Sequence, residues 1–353
     1  MSRNMIETNS RVFSRLIEVA KTSGRALADA DAVRYVKTTP EEREWLKDLV
    51  VKDVEPLSSK LKAATVEYQG RTFLVVVGTA RVAKMDYAMK PADVNAGMFT
   101  AFVEEIDVPV RETTGPLEII ENALGQFAGS GDYAGHEMSA IAELFEPILA
   151  YEVALDSPIP AGDLTRLSCL WALKAKETIV LPFSDETLGA FEALLCQGIQ
   201  NLPSENLLRG IQCAHWQHAF LEIYRCIERL FSFQHIEELH RELAVAISLL
   251  EFAAKIEKAT GWRPREEDAM VRLLDPMPPV AQALLETVRT ELLGNTLQGL
   301  AGWVYSLRNS VVHFRPASER VHLTNSQWDR VVRATLVVIG MLYAKYDSAL
   351  AAA

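Results

Sequence analysis

Residues 204–233 read SENLLRGIQCAHWQHAFLEIYRCIERLFSF, with apolar side chains at Leu207, Ile211, Ala214, Leu221, Tyr224, Ile227 and Leu230. That recurrence follows the turn of an α-helix and predicts a long amphipathic helix from Ser204 to about Phe233. The sequence beyond it continues in the same manner. A second long helix is expected from His235 to about Lys258, ended by Gly261 and Pro264. Two shorter helices fit Arg265 to Glu291, which Pro276, Pro278 and Pro279 punctuate. A further helix runs from Leu297 to about Val312, stopped by Pro316, and a last one starts near Asn325. Residues 201–353 therefore read as an all-α bundle on four longer helices.

The preceding 200 residues have a different period. Val12, Leu16, Ile17 and Ala20 mark an early helix, and Thr39-Pro40-Glu41-Glu42 is a helix start with proline in the first turn. From Ala64 to Val77, β-branched and aromatic residues flank Gln69-Gly70, the pattern of a β-hairpin. Met98 to Ile106 and Thr178 to Phe183 are further strand candidates, with a helix expected from Asp185. Small residues between Gly125 and Gly135 signal a loop. The expected fold class is thus an α+β N-terminal region, residues 1–200, followed by the helical bundle of residues 201–353.

Charge divides at the same point. The chain carries a formal net charge of -11, but residues 201–353 hold 16 Lys and Arg against 17 Asp and Glu, while residues 1–200 hold 20 against 30. A nearly neutral bundle lacks the domain-wide basic patch of a passive nucleic-acid binder, so any contact with RNA must rest on local arginines. Cys169, Cys196, Cys213 and Cys226 have no paired CxxC spacing and read as buried thiols of a reducing compartment, which predicts a cytoplasmic protein. The opening residues are polar, unlike a secretory signal, and the longest apolar run, Ala334 to Tyr343, is about half the ~20 residues a membrane span needs.

Within the penultimate helix stands Leu307-Arg308-Asn309-Ser310-Val311-Val312-His313, followed by Phe314-Arg315-Pro316. Asn309 and His313 are four apart and share a helical face, whereas Arg308 and His313 converge only if the helix ends near His313, as Pro316 favours. This stretch, in a domain of long helices, resembles the HEPN superfamily, whose signature is Arg, four to six residues, then His, often with Asn directly after the Arg. The resemblance covers roughly residues 205–350. Tyr224-Arg-Cys-Ile-Glu228 is also similar to HEPN sequences of bacterial abortive-infection proteins.

The resemblance implies a metal-independent endoribonuclease with catalytic Arg308, Asn309 and His313. Histidine titrates near neutrality and suits proton transfer at the ribose 2′-hydroxyl or the leaving 5′-oxygen. A guanidinium can bind the charge that develops on phosphorus through two parallel hydrogen bonds. Arg315 is a candidate for binding the substrate phosphate, with a solvated helix cap as the alternative. Products would carry 2′,3′-cyclic phosphate and 5′-hydroxyl ends, with no cofactor. One motif per chain implies a homodimer through the bundle. HEPN fusions of this layout imply a toxin or anti-phage defence effector, with RNA as substrate and a trigger sensed by the N-terminal region. A non-catalytic bundle for dimerisation and binding is the alternative.

Other readings are weaker. His215, His218, Glu222 and Cys226 share a helical stripe that could hold a metal, but a part-buried polar stripe is the better expectation. His235 and His240 are five apart, not the four of a zinc-protease helix. No phosphate-cradling loop and no nucleophile elbow occur. Glu104, Glu105 and Asp107 lack the lysine of a metal nuclease and read as a solvated strand end.

Overall fold

Asn4 opens the first helix, α1 (Met5–Lys21), by accepting a hydrogen bond from the Ile6 amide, and Val12, Phe13, Leu16 and Ala20 form its buried face. Thr39 and Glu42 cap α2 (Pro40–Asp48) reciprocally, each side chain accepting from the other's backbone N–H, with Pro40 at the first position. The computed structural model describes residues 3–25, 27, 32–125, 133–293, 299–312 and 322–350. They form two compact units, Met1–Ser168 and Cys169–Ala353.

The first unit is α+β. After β1 (Val50–Pro56), the chain makes the expected hairpin of β2 (Lys62–Tyr68) and β3 (Arg71–Val77). Gln69 and Gly70 both take positive φ, 49° and 77°, which matches the right-handed twist of the flanking strands. β4 (Met89–Ala92) precedes α3 (Ala96–Glu105), α4 (Pro116–Ile119), a π-helical turn over Ile120–Leu124, α5 (Met138–Ala142) and β5 (Ile148–Val153). The sheet order is β1-β2-β3-β5-β4, with every neighbouring pair antiparallel. Alternate residues Ala64, Val66, Tyr68, Phe73, Val75 and Val77 form one core with α1 and α3. Trp45 of α2 stacks on Tyr68 with ring centroids 3.6 Å apart.

Met98 to Ile106 is helical, not a strand. Residues 96–103 are all buried, so the segment is apolar on every side and carries no period, and the Asn95 side chain starts the helix by accepting from the Met98 amide. Its Gly97 lets α2 and α3 touch backbone to backbone: a Cβ there would lie 1.8 Å from the Glu42 carbonyl oxygen.

The boundary between units falls inside α6 (Leu164–Lys174), about thirty residues before the expected division at 200/201. Residues 169–200 belong to the helical unit because α7 (Asp185–Leu195) packs on the last helix, α15 (Asn325–Leu350). Asp329 of α15, only 7% exposed, accepts from the Ser184 amide and hydroxyl at 3.0 and 2.6 Å, and Asp347 accepts from the Gln200 amide at 2.9 Å. Thr178 to Phe183 forms no strand. A 3-10 turn at Lys176–Thr178 leads into irregular chain, and no strand of this unit is present among the described residues to pair with it.

The helix expected from Ser204 to Phe233 is divided into α8 (Ser204–Gln212) and α9 (Trp216–Glu228). Cys213 takes an extended conformation, the chain folds back, and Gly210 of α8 lies against Ile223 of α9. The predicted helix His235 to Lys258 is likewise divided, into α10 (Phe233–Glu242) and α11 (Leu249–Thr260), at Ala244 with φ 47°. Ser248 caps α11 at one end and Gly261, φ 67°, at the other. α12 (Glu266–Leu274), α13 (Pro279–Leu293) and α14 (Leu300–Val312) follow as expected. α15 packs on α7, α9, α11 and α13, and buries Val331, Val332, Leu336, Ile339, Leu342, Tyr343 and Tyr346. No helix of the described residues is long and apolar enough to cross a membrane.

Candidate functional site

Leu307 anchors the end of α14 in the core, which turns the next residue, Arg308, toward α9 and α12. Its side chain is only 16% exposed. One guanidinium nitrogen, Nη2, donates to Glu228 Oε1 of α9 at 2.8 Å, while Nη1 lies 3.3 Å from Glu266 Oε2 of α12. Nη1 also donates to the Asn309 side-chain oxygen at 3.1 Å, and the guanidinium carbon stands 6.0 Å from the centre of the Tyr224 ring. Arg308 and Asn309 are thus joined directly. Ser310 turns back to its own helix, donating to the Leu307 carbonyl at 2.7 Å.

His313 and Arg315, the other two sequence-predicted site residues, lie outside the described residues.

Tyr224 forms the floor of the cluster. It is fully buried, and its hydroxyl has no hydrogen-bond partner among the described residues. Burial, reinforced by the negative charge of Glu228, pushes that hydroxyl far above the ordinary phenol range, so it remains protonated. The buried donor is held beside one guanidinium and two carboxylates, a set whose net charge is negative. Ion pairs in such a poorly hydrated setting are stronger than on open surface.

Sequence reasoning singled out the stretch Tyr224–Glu228 but gave Glu228 no role at the site, and it missed Glu266. Glu228 is one helical turn after Tyr224 and one turn is the spacing of side-chain neighbours, so that pair was legible. Glu266 opens α12 within Glu266-Glu267-Asp268, which in sequence reads only as acid at a positive helix start.

The remaining candidates resolve into structural roles. Glu222 pairs with Arg225 and accepts from Asn206, Cys226 is buried, and the rings of His215 and His218 stand edge to face 5.6 Å apart. Among the described residues no three His, Cys, Asp or Glu side chains come together as a metal-binding group. His240 Nε2 is 2.7 Å from the Ile247 carbonyl, fastening the turn between α10 and α11. Glu104 pairs with Arg11, Glu105 with Arg3, and Asp107 with Arg15 and Lys62, at the end of a helix and not of a strand.

No protein-family model, curated protein or solved structure matches the chain.

Proposed function

We propose that the helical unit is a metal-independent endoribonuclease of the HEPN type, with Arg308, Asn309 and His313 as its catalytic residues. The observation that carries this reading is the setting of Arg308: a guanidinium 16% exposed at the end of α14, linked to Asn309, in the last described turn before the histidine. In that setting phosphate–guanidinium hydrogen bonds are strengthened by the exclusion of water. His313 takes the proton from the ribose 2′-hydroxyl, the 2′-oxygen bonds to phosphorus, and the bond from phosphorus to the 5′-oxygen breaks. Arg308 binds the charge on the phosphoryl oxygens. The 5′-oxygen receives its proton from a second copy of the motif, which makes a homodimer the working form. The chain would serve as a cytoplasmic toxin or anti-phage effector, with the N-terminal unit receiving its trigger.

Incubating mixed RNA with the protein in EDTA tests this. Wild-type cleavage leaving 2′,3′-cyclic phosphate ends, lost in Arg308→Ala and His313→Ala, is the expected result. Cleavage that survives both substitutions would move the site elsewhere.

A second reading, a non-catalytic bundle that dimerises and binds, is favoured by one observation: the Arg308 guanidinium already serves two carboxylates. In that case no RNA is cut, and overexpression is tolerated whether or not His313 is replaced.

A further inference from the structure

The two carboxylates on Arg308 are not equivalent. Glu228 sits in the last turn of α9, 27% exposed, and meets Nη2 at hydrogen-bond distance. Glu266 comes from another helix, is 40% exposed, and meets Nη1 at a longer 3.3 Å. The first carboxylate therefore fixes the guanidinium from within, while the second covers it from the wetter side. A carboxylate and a phosphodiester present the same chemistry to a guanidinium: paired anionic oxygens at similar spacing. The ring of Tyr224, whose buried hydroxyl has no hydrogen-bond partner among the described residues, stands 6.0 Å from the guanidinium carbon.

Resting on the ribonuclease reading above, we propose that the Glu266 carboxylate is a built-in stand-in for the RNA phosphate, occupying the Nη1 edge of Arg308, and that a phosphodiester binds there by displacing it. The displacement needs no rearrangement of the bundle. Ala269, Met270, Leu273 and Leu274 fix α12 by its buried face, while the Glu266 side chain, in the first turn and 40% exposed, has water beside it to turn toward. The site is consequently self-competing: its affinity for RNA is lowered by a carboxylate that is always present at high local concentration. Glu267, next in the chain, carries the same charge but is exposed and forms no ion pair among the described residues, which makes it the matched control.

The test is binding of a fluorescein-labelled 2′-O-methyl RNA oligonucleotide, which lacks the attacking hydroxyl and cannot be cut. At low salt, Glu266→Gln should bind about fivefold tighter than wild type, the equivalent of one part-exposed ion pair. Glu267→Gln should gain less, reporting only the general loss of charge. The gain should disappear in Glu266→Gln/Arg308→Ala. Equal affinity of wild type and Glu266→Gln, equal gains from both glutamates, or a gain that persists without Arg308 would each overturn the proposal. Cleavage of unmodified RNA, measured on the same proteins, separates the two claims. Tighter binding by Glu266→Gln with no cleavage by any variant would uphold the stand-in and reject the nuclease. Cleavage by wild type without tighter binding would do the reverse.

Discussion

Arg308 of α14 and Glu228 of α9, 80 residues apart in sequence, are joined by a hydrogen-bonded ion pair of 2.8 Å with both side chains largely shielded from water. Because the pair ties two helices, it should be felt in stability as well as in any chemistry. Glu228→Gln and Arg308→Ala, separately and combined, should give a coupling energy of about 1 kcal/mol in urea unfolding. Additive single effects would mean that the pair contributes nothing to the bundle.

Tyr224→Phe removes a buried hydroxyl that has no partner among the described residues. Deleting an unsatisfied donor relieves a desolvation cost, so the variant should be as stable as wild type or more stable by up to about 1 kcal/mol. A loss of 2 kcal/mol or more in the same unfolding assay would show that the hydroxyl is hydrogen bonded in solution.

Asp329 holds the start of α7 through the Ser184 amide and hydroxyl, and it is nearly inaccessible to water. Asp329→Ala should cost about 2 kcal/mol, since it strips two hydrogen bonds from a helix start and leaves the Ser184 amide without its acceptor. Far-ultraviolet circular dichroism during thermal melting would report the loss. An unchanged melting temperature would deny that α7 is fastened to α15 in this way.

In the N-terminal unit His136 is 3% exposed, and its Nε2 has no partner among the described residues. Burial, then the charges of Arg34 and Lys37, hold its imidazole below the ordinary histidine range. The unfolded chain therefore takes up a proton near pH 6.5 that the folded unit refuses. Stability should be level above that pH, fall as pH drops through it, and level again below the lowered folded value. Replacement by Phe, which keeps the ring contact with Phe13, should flatten that part of the profile, leaving, among the described histidines, the contribution of His235, also lowered by burial. An identical profile for His136→Phe would remove His136 as the cause.

Much of this architecture is legible in the sequence, and the failures share a cause. Thr39-Pro40-Glu41-Glu42 and Gln69-Gly70 are local signals that need no partner, and both elements form where expected. Segment 96–105 and segment 178–183 mislead because a uniformly apolar or β-branched run takes its structure from what lies next to it. β1, with Lys52, Asp53 and Glu55, is too polar to announce itself, and it is recruited at the sheet edge by pairing with β2. At the site, Arg308 and Asn309 stand out because they adjoin in a recognisable stretch. Glu266 does not, because its partnership with Arg308 spans 42 residues and depends on how α12 packs against α14.

The position of α15 has a consequence for biosynthesis. It is the surface on which α7, α9, α11 and α13 are assembled, yet it is translated after all of them. While the ribosome is still making it, those helices carry apolar faces with no mate, and Tyr343, which in the finished unit donates to the Cys226 carbonyl, does not yet exist. Burial of those faces therefore requires the stretch of α15 through Tyr346, while the Arg308 cluster, carried by α9, α12 and α14, depends on α15 through the packing of α9. A chain that stops inside α15 would leave those apolar faces open to water, the feature by which chaperones and proteases recognise an incomplete product.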